Sequence, residues 1–219
     1  MKLTSRQKLF AAPYFAINAL ANPMRADMVA ALGDSTGYYS LKKICSKMKN
    51  SRSGRKILLE KPIISSESLN LPYLRSLPSG QFGREYIRYM DHNGFDADER
   101  PSVRFLEDEE LAYVMLRYRQ IHDFWHVLSG LPPTVFGEIA LKWLEWRVTA
   151  LPVCGLSSLA GPLRLSSEDR GILRQEYIPW ALECGGNCED LMSYPYEENF
   201  NRTVEEIRID LNFIPAPKI

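Results

Sequence analysis

Long apolar runs are missing from this chain. No stretch of 18 or more residues is apolar throughout, so no segment reads as a transmembrane helix. Cysteine is scarce as well. Cys45, Cys154, Cys184 and Cys188 are too few, in 219 residues, for a disulfide scaffold. Cys184 and Cys188 flank Gly185-Gly186-Asn187, which reads as a flexible turn, and no histidine stands near enough to complete a metal clip. Cys184 and Cys188 are expected as a reduced pair of thiols. Net charge is absent too, since 27 Lys/Arg balance 27 Asp/Glu. The total therefore gives no electrostatic case for nucleic acid. Finally, no run of alternating polar and apolar residues marks a strand, and no internal repeat or low-complexity tract is visible.

What is present suits one globular domain over residues 1–219. Hydrophobic residues make up 45% and charged residues 25%, enough apolar material for a core and ordinary solubility. The charge is unevenly placed. Residues 1–70 hold 12 Lys/Arg against four Asp/Glu, and the rest hold 15 against 23. Either the basic third sits on an anionic membrane or acidic partner, or the two parts face each other. The first 26 residues contain no acid but carry Lys2, Arg6, Lys8 and Arg25. Residues 1–22 thus read as a targeting or membrane-facing helix, or as an ordinary first helix. Leu9, Phe10, Tyr14, Phe15 and Ile17 are its candidate apolar face.

Helical spacing dominates, and an all-α fold is expected. Helices are predicted over residues 4–20, 24–32 (stopped by Gly33), 40–49, 82–90, 108–128, 134–149, 167–182 and 203–211. Residues 34–37 read as a turn, 51–54 as a loop, and the proline-bearing 62–82 as an irregular crossing outside the core. Residues 94–105 read as a loop or arm. The strongest helix starts at Asp108, a natural N-cap followed by Glu109 and Glu110, and ends at Gly130. Pro132-Pro133 forces a turn, and Thr134 caps the next helix.

The chemistry concentrates there. The chain has three histidines, and two fall in His122-Asp123-Phe124-Trp125-His126. At about 100° per residue, His126 lies about 40° from His122 and Asp123 about 100° from it, so one helix face carries all three. Two imidazoles one turn apart can grip a single ion, with Asp123 as a ligand or as an orienting carboxylate. Glu138 follows across the short turn, and two antiparallel helices would bring it back as a fourth ligand. Nitrogen and oxygen donors without thiolate suit a catalytic zinc better than a structural one. Two known patterns are set aside. Metalloproteases need Glu where Asp123 stands. HD-type phosphohydrolases need further ligands, for which His92 and Asp190 are the available residues, with nothing tying them to the site.

The phrase H-D-x-x-H-x(11)-E resembles the signature of the fourth Coq protein family of ubiquinone biosynthesis. Further blocks follow in the family's order: RADMVAALGDSTG at 25–37, LP at 77–78 with GREY at 83–86, DEELAY at 108–113, GE at 137–138, KW at 142–143, GP at 161–162 and IPWA at 178–181. The resemblance covers nearly the whole chain. It implies an all-helical protein whose zinc ligands are His122, Asp123, His126 and Glu138. It implies removal of the C1 carboxylate of a 4-hydroxy-3-methoxy-5-polyprenylbenzoate, with or without oxidation at that carbon. It also implies a peripheral position on the matrix face of the mitochondrial inner membrane. There the family works in a complex with other coenzyme Q biosynthetic proteins, as a homo- or hetero-oligomer. Eukaryotic members begin with a longer presequence; here either it is trimmed or the first helix serves as the address. Asp123 and Glu138 are the candidate proton donors to the ring carbon. Arg84, Arg117, Arg119 and Lys142 are candidates to hold the substrate's anion. A scaffold or lipid-binding subunit with a structural metal is the alternative reading.

Overall fold

The computed structural model describes residues 12–18 and 26–218. Leu9, Phe10 and the early basic residues Lys2, Arg6, Lys8 and Arg25 lie outside the described residues, as does most of the predicted first helix. Residues 12–18 are helical; Phe15 stacks on Phe105 at 5.6 Å, while Tyr14 and Ile17 are exposed.

Eleven α-helices follow among the described residues. They are α1 (Ala26–Thr36), α2 (Tyr38–Asn50), α3 (Arg52–Glu60), α4 (Leu71–Ser76), α5 (Phe82–Asn93), α6 (Glu109–Ser129), α7 (Val135–Thr149), α8 (Pro152–Ala160), α9 (Ser167–Ile172), α10 (Ile178–Asn187) and α11 (Val204–Asp210). No strand forms among the described residues. A single antiparallel bridge joins Gln81 and Thr203. The fold is all-α, as the spacing predicts.

Helix α6 runs through the centre. Its buried residues, from Leu111 to Ser129, cover about two-thirds of its circumference, and the residues between them are half-buried. Helices α2, α3, α5, α7 and α11 pack around it, and α7 in turn carries α8 and α10. Phe82, Tyr86, Phe124 and Phe200 form an aromatic cluster beneath α6, with ring centroids 4.7–6.4 Å apart.

Several local expectations give way to burial. Gly33 does not stop α1, which continues to Thr36, so residues 34–36 are helix rather than turn. Asp34 is buried there and accepts from the Arg104 amide at 2.8 Å and from Arg119 at 2.6 Å. Those bonds hold the helix past its glycine. Residues 51–54 are not a loop either. Ser51 caps α3 by accepting from the Gly54 amide, and Gly54 is buried against the Met48 carbonyl, where a Cβ would stand at 2.3 Å. The segment 62–82 contributes to the core through Ile64, Leu69, Leu74 and Leu77, and contains α4. Residues 167–187 form one helical run with a π segment, Leu173–Tyr177, just before Pro179, whose missing amide cannot close an ordinary turn. Gly185 and Gly186 are helical rather than a flexible turn, because the Arg147 side chain packs where a Cβ would be. All four cysteines are free thiols.

Candidate metal centre

The site is built by α6, a tight turn and α7. Asp108 starts α6 by accepting from the amides of Glu110 and Leu111, both at 3.0 Å. Gly130, at φ +79°, ends it in the left-handed region that glycine alone enters freely. Thr134 then opens α7 by accepting from the Gly137 amide at 3.1 Å. The helices run antiparallel, as their side-chain pairing shows. Tyr118 meets Glu145, His122 meets Glu145 and Glu138, and His126 meets Glu138. Tyr118, His122 and His126 are spaced by one turn on α6. Glu138, Lys142 and Glu145 share one face of α7 in the same way.

His122, His126 and Glu138 each offer one ligand atom, all within 4.8 Å of one another. Glu138 Oε1 lies 3.0 Å from His126 Nε2, and its Oε2 lies 3.6 Å from His122 Nε2. Both imidazoles are held through their other nitrogen. His126 Nδ1 donates to the Leu131 carbonyl at 3.0 Å, and His122 Nδ1 lies 2.5 Å from Glu145 Oε1. Each Nε2 is thereby turned to the shared point. Two imidazole nitrogens and a carboxylate, with no thiolate among them, fit a divalent cation.

The electrostatics match. Desolvation opposes ionisation of Glu138, but His122 and His126 outweigh it and hold the carboxyl well below its usual range. Burial and the Lys142 ammonium oppose protonation of His122, yet Glu145 and Glu138 raise it to about 10. Burial works against an ionised Glu145, and Lys142 and His122 overcome it, holding it at about 2. A cation in the site would replace the Nε2 proton of His122 as the partner of Glu138, while Nδ1 keeps its proton towards Glu145.

Asp123 stands beside this triad with a different partner. Its Oδ2 accepts from Arg100 Nη2 at 2.6 Å and Nε at 3.2 Å, and Arg100 also reaches the Tyr86 hydroxyl at 3.2 Å. Tyr89 stacks on His126 at 5.4 Å; burial, then the charges of Asp123 and Glu138, keep its phenol protonated. Among the residues expected to hold an anion, only Lys142 adjoins the triad, and it is bound to Glu145 at 2.6 Å. Arg117 is fully buried and donates to the Met192 and Tyr194 carbonyls and to Glu197. Arg119 ties Asp34 to the Ala30 and Pro101 carbonyls. Arg84 donates to the Arg75 carbonyl at 2.6 Å. Asp190 is taken up by Ser193 and Lys47, while His92 lines a cleft of about 730 Å³ that His126 and Tyr89 also line.

Sequence reasoning passed over Arg100, Tyr89 and Glu145. For Glu145 a signal existed: it stands two helical turns after Glu138, on the same face. Arg100 reaches the site from the irregular segment before α6, and no spacing rule points to it.

Known proteins share this chain's sequence over most of its length. The family described as "Coenzyme Q (ubiquinone) biosynthesis protein Coq4" matches residues 1–217. The mitochondrial ubiquinone biosynthesis protein COQ4 homolog of Nematostella vectensis is 47% identical over 204 residues, covering 92% of this chain and 98% of the relative. The mouse and human proteins of the same description are 43% and 42% identical, covering 98% and 96% of this chain and 81% and 80% of their own lengths. The crystal structure of a Nostoc punctiforme protein superposes with a TM-score of 0.72 at 21% identity, covering 96% of this chain and 98% of that one, a likeness of fold. The chain therefore belongs to the Coq4 family of coenzyme Q (ubiquinone) biosynthesis proteins.

Proposed function

We propose that this protein is the metal-dependent enzyme of ubiquinone biosynthesis that removes the C1 carboxylate of 4-hydroxy-3-methoxy-5-polyprenylbenzoate. The observation that carries the reading is the triad: two Nε2 atoms and one carboxylate, preset by hydrogen bonds and free of thiolate. Such sites are built for chemistry more often than for holding a fold together. His122, His126 and Glu138 would hold the ion, with Asp123 as the fourth ligand once it parts from Arg100. Zinc suits the mixed nitrogen and oxygen donors. Bound there, it would supply Lewis acidity toward a carboxylate or phenolate oxygen of the substrate.

The chain's own residues do the rest. When carbon dioxide leaves, the bond's electron pair stays at C1, and that carbon takes a proton. Glu138 is held ionised and has no proton to give, so of the two candidate donors Asp123 remains, where it does not serve as a ligand. Tyr89, a phenol against His126, borders the cleft from which a ring would approach. Of the candidates to steady the substrate's anion only Lys142 adjoins the triad, and it is bound to Glu145; Arg117 and Arg119 would first have to leave their buried partners. The relatives' names carry the word mitochondrial, and no described helix is long and apolar enough to cross a membrane. We assign the protein to the matrix face of the inner membrane, as a peripheral member of a complex with other coenzyme Q biosynthetic proteins. The exposed Tyr14 and Ile17 are in keeping with that position.

The test uses purified protein loaded in turn with zinc, cobalt or iron, and a short-tailed 4-hydroxy-3-methoxy-5-prenylbenzoate. Carbon dioxide and the ring product are followed by mass spectrometry, with and without oxygen. We expect metal-dependent release that Glu138→Ala lowers at least about a hundredfold. Folded protein that binds the lipid yet releases nothing with any metal would transfer the assignment to the scaffold reading.

A further inference from the structure

Glu145 is the most completely enclosed carboxylate near the triad, with none of its side chain exposed. Its two oxygens have different duties. Oε2 is crowded: it accepts from Lys142 Nζ at 2.6 Å, from the Tyr118 hydroxyl and from Cys154 Sγ at 3.4 Å. Oε1 faces His122 Nδ1 at 2.5 Å. A buried ion pair is an expensive way to stabilise a core, because apolar residues of the same volume do as well or better. Here the expense has a local use. A carboxylate takes only a donor, so the proton of a neutral His122 must sit on Nδ1, and the lone pair must sit on Nε2, which faces Glu138.

We propose that Glu145 is the positioning residue of the metal centre, setting the tautomer and ring angle of His122 so that Nε2 is the ligating atom. Lys142 and Tyr118 anchor the far oxygen, so Glu145 cannot turn away. Lys142 on this account is an anchor for Glu145 rather than a hand for the substrate. The Leu131 carbonyl does the same for His126, which explains why one imidazole needs a carboxylate and its neighbour does not: Leu131 follows α6 closely enough for its backbone to reach His126. The inference rests on the triad being a metal site.

The variant that tests it is Glu145→Gln. Lys142 and Tyr118 would draw the amide oxygen to the Oε2 position and leave the amide NH2 facing His122. The imidazole would then accept at Nδ1 and carry its proton on Nε2, the wrong tautomer for a ligand. Zn2+ and Co2+ affinities are measured by chelator competition on wild type, His122→Ala and Glu145→Gln, with circular dichroism of the metal-free proteins as the folding control. We expect Glu145→Gln to bind about 10–100-fold more weakly than wild type. Equal affinity of wild type and Glu145→Gln, with His122→Ala weakened, overturns the positioning role and leaves the metal site standing. Equal affinity of wild type and His122→Ala overturns the metal site itself. A measurement on wild type alone covers the case of a variant that does not fold. In the Zn2+-loaded protein the His122 Nδ1 proton should appear by nitrogen-resolved NMR as a slowly exchanging imidazole signal. A proton on Nε2, or exchange at the solvent rate, overturns the proposal.

Discussion

At His122 two carboxylates and one ammonium contend for a single imidazole. The carboxylates prevail, and the side chain's affinity for a proton rises to about 10 from an ordinary 6.5. The sign of the consequence is definite. Below that value the metal-free imidazole is protonated, so a cation must expel one proton to bind. Apparent Zn2+ affinity should therefore climb about tenfold per pH unit between about pH 6 and 8. Chelator competition across that range, with calorimetry in buffers of different ionisation enthalpy, reads the proton released. A flat profile would mean that His122 carries no proton for the metal to displace. Residue chemistry of this kind was half legible beforehand. The His-Asp-x-x-His phrase is local, and helix geometry alone puts both imidazoles on one face. The hand that holds Asp123 was not legible, because Arg100 arrives from a segment without periodicity, 23 residues upstream.

At the scale of elements, the turn between α6 and α7 sets the distance from His126 to Glu138. Its signals were all in the sequence: Gly130 at the left-handed end, two prolines, and Thr134 as cap. The tightest point is Gly137, where an added Cβ would stand 2.0 Å from the Pro132 carbonyl oxygen. The Cβ is fixed by the backbone of residue 137 and the carbonyl is backbone, so no side-chain rotation relieves the clash. Gly137→Ala should cost about 1–3 kcal/mol in urea unfolding and weaken Zn2+ binding together, because Glu138 is the next residue. Wild-type affinity in a destabilised Gly137→Ala protein would show that the turn does not set the ligand distance. Helices α3 and α4 were missed for a common reason. Ser and Gly, or Pro, read as breakers when weighed locally, but Ser51 and Asn70 act as caps, and Leu58 and Leu74 supply buried faces. Helix α1 overran Gly33 because Asp34 has buried partners far along the chain.

For the molecule as a whole, the C-terminal residues close the ring of helices around α6. The Ala216 amide donates to the Ser129 carbonyl, Trp180 Nε1 to Ile214, and the Tyr177 hydroxyl to Pro217. Phe213 is buried within this closure. Phe213→Ala should lower stability by about 3–5 kcal/mol, seen as a reduced urea midpoint at unchanged m-value. A midpoint within error of wild type would mean that the segment is not part of the cooperative fold. The uneven charge resolves partly within the chain: Lys47, Lys49 and Lys56 pair with Asp190, Glu110 and Glu198. The basic third thus meets acidic residues of the remainder, and the pairing is exposed enough to be weak.

The sequence by itself determined the helical class, the central helix with both its ends, the turn that follows, and the gathering of His122, His126 and Glu138. All of these depend on residues within a few turns of one another, where periodicity and capping decide. The tertiary structure alone decided that Asp123 faces Arg100, that Glu145 backs His122, and that Arg117 and Arg119 are held by carbonyls and carboxylates of their own chain. A buried charge must find a partner, and which partner is within reach depends on how distant segments pack.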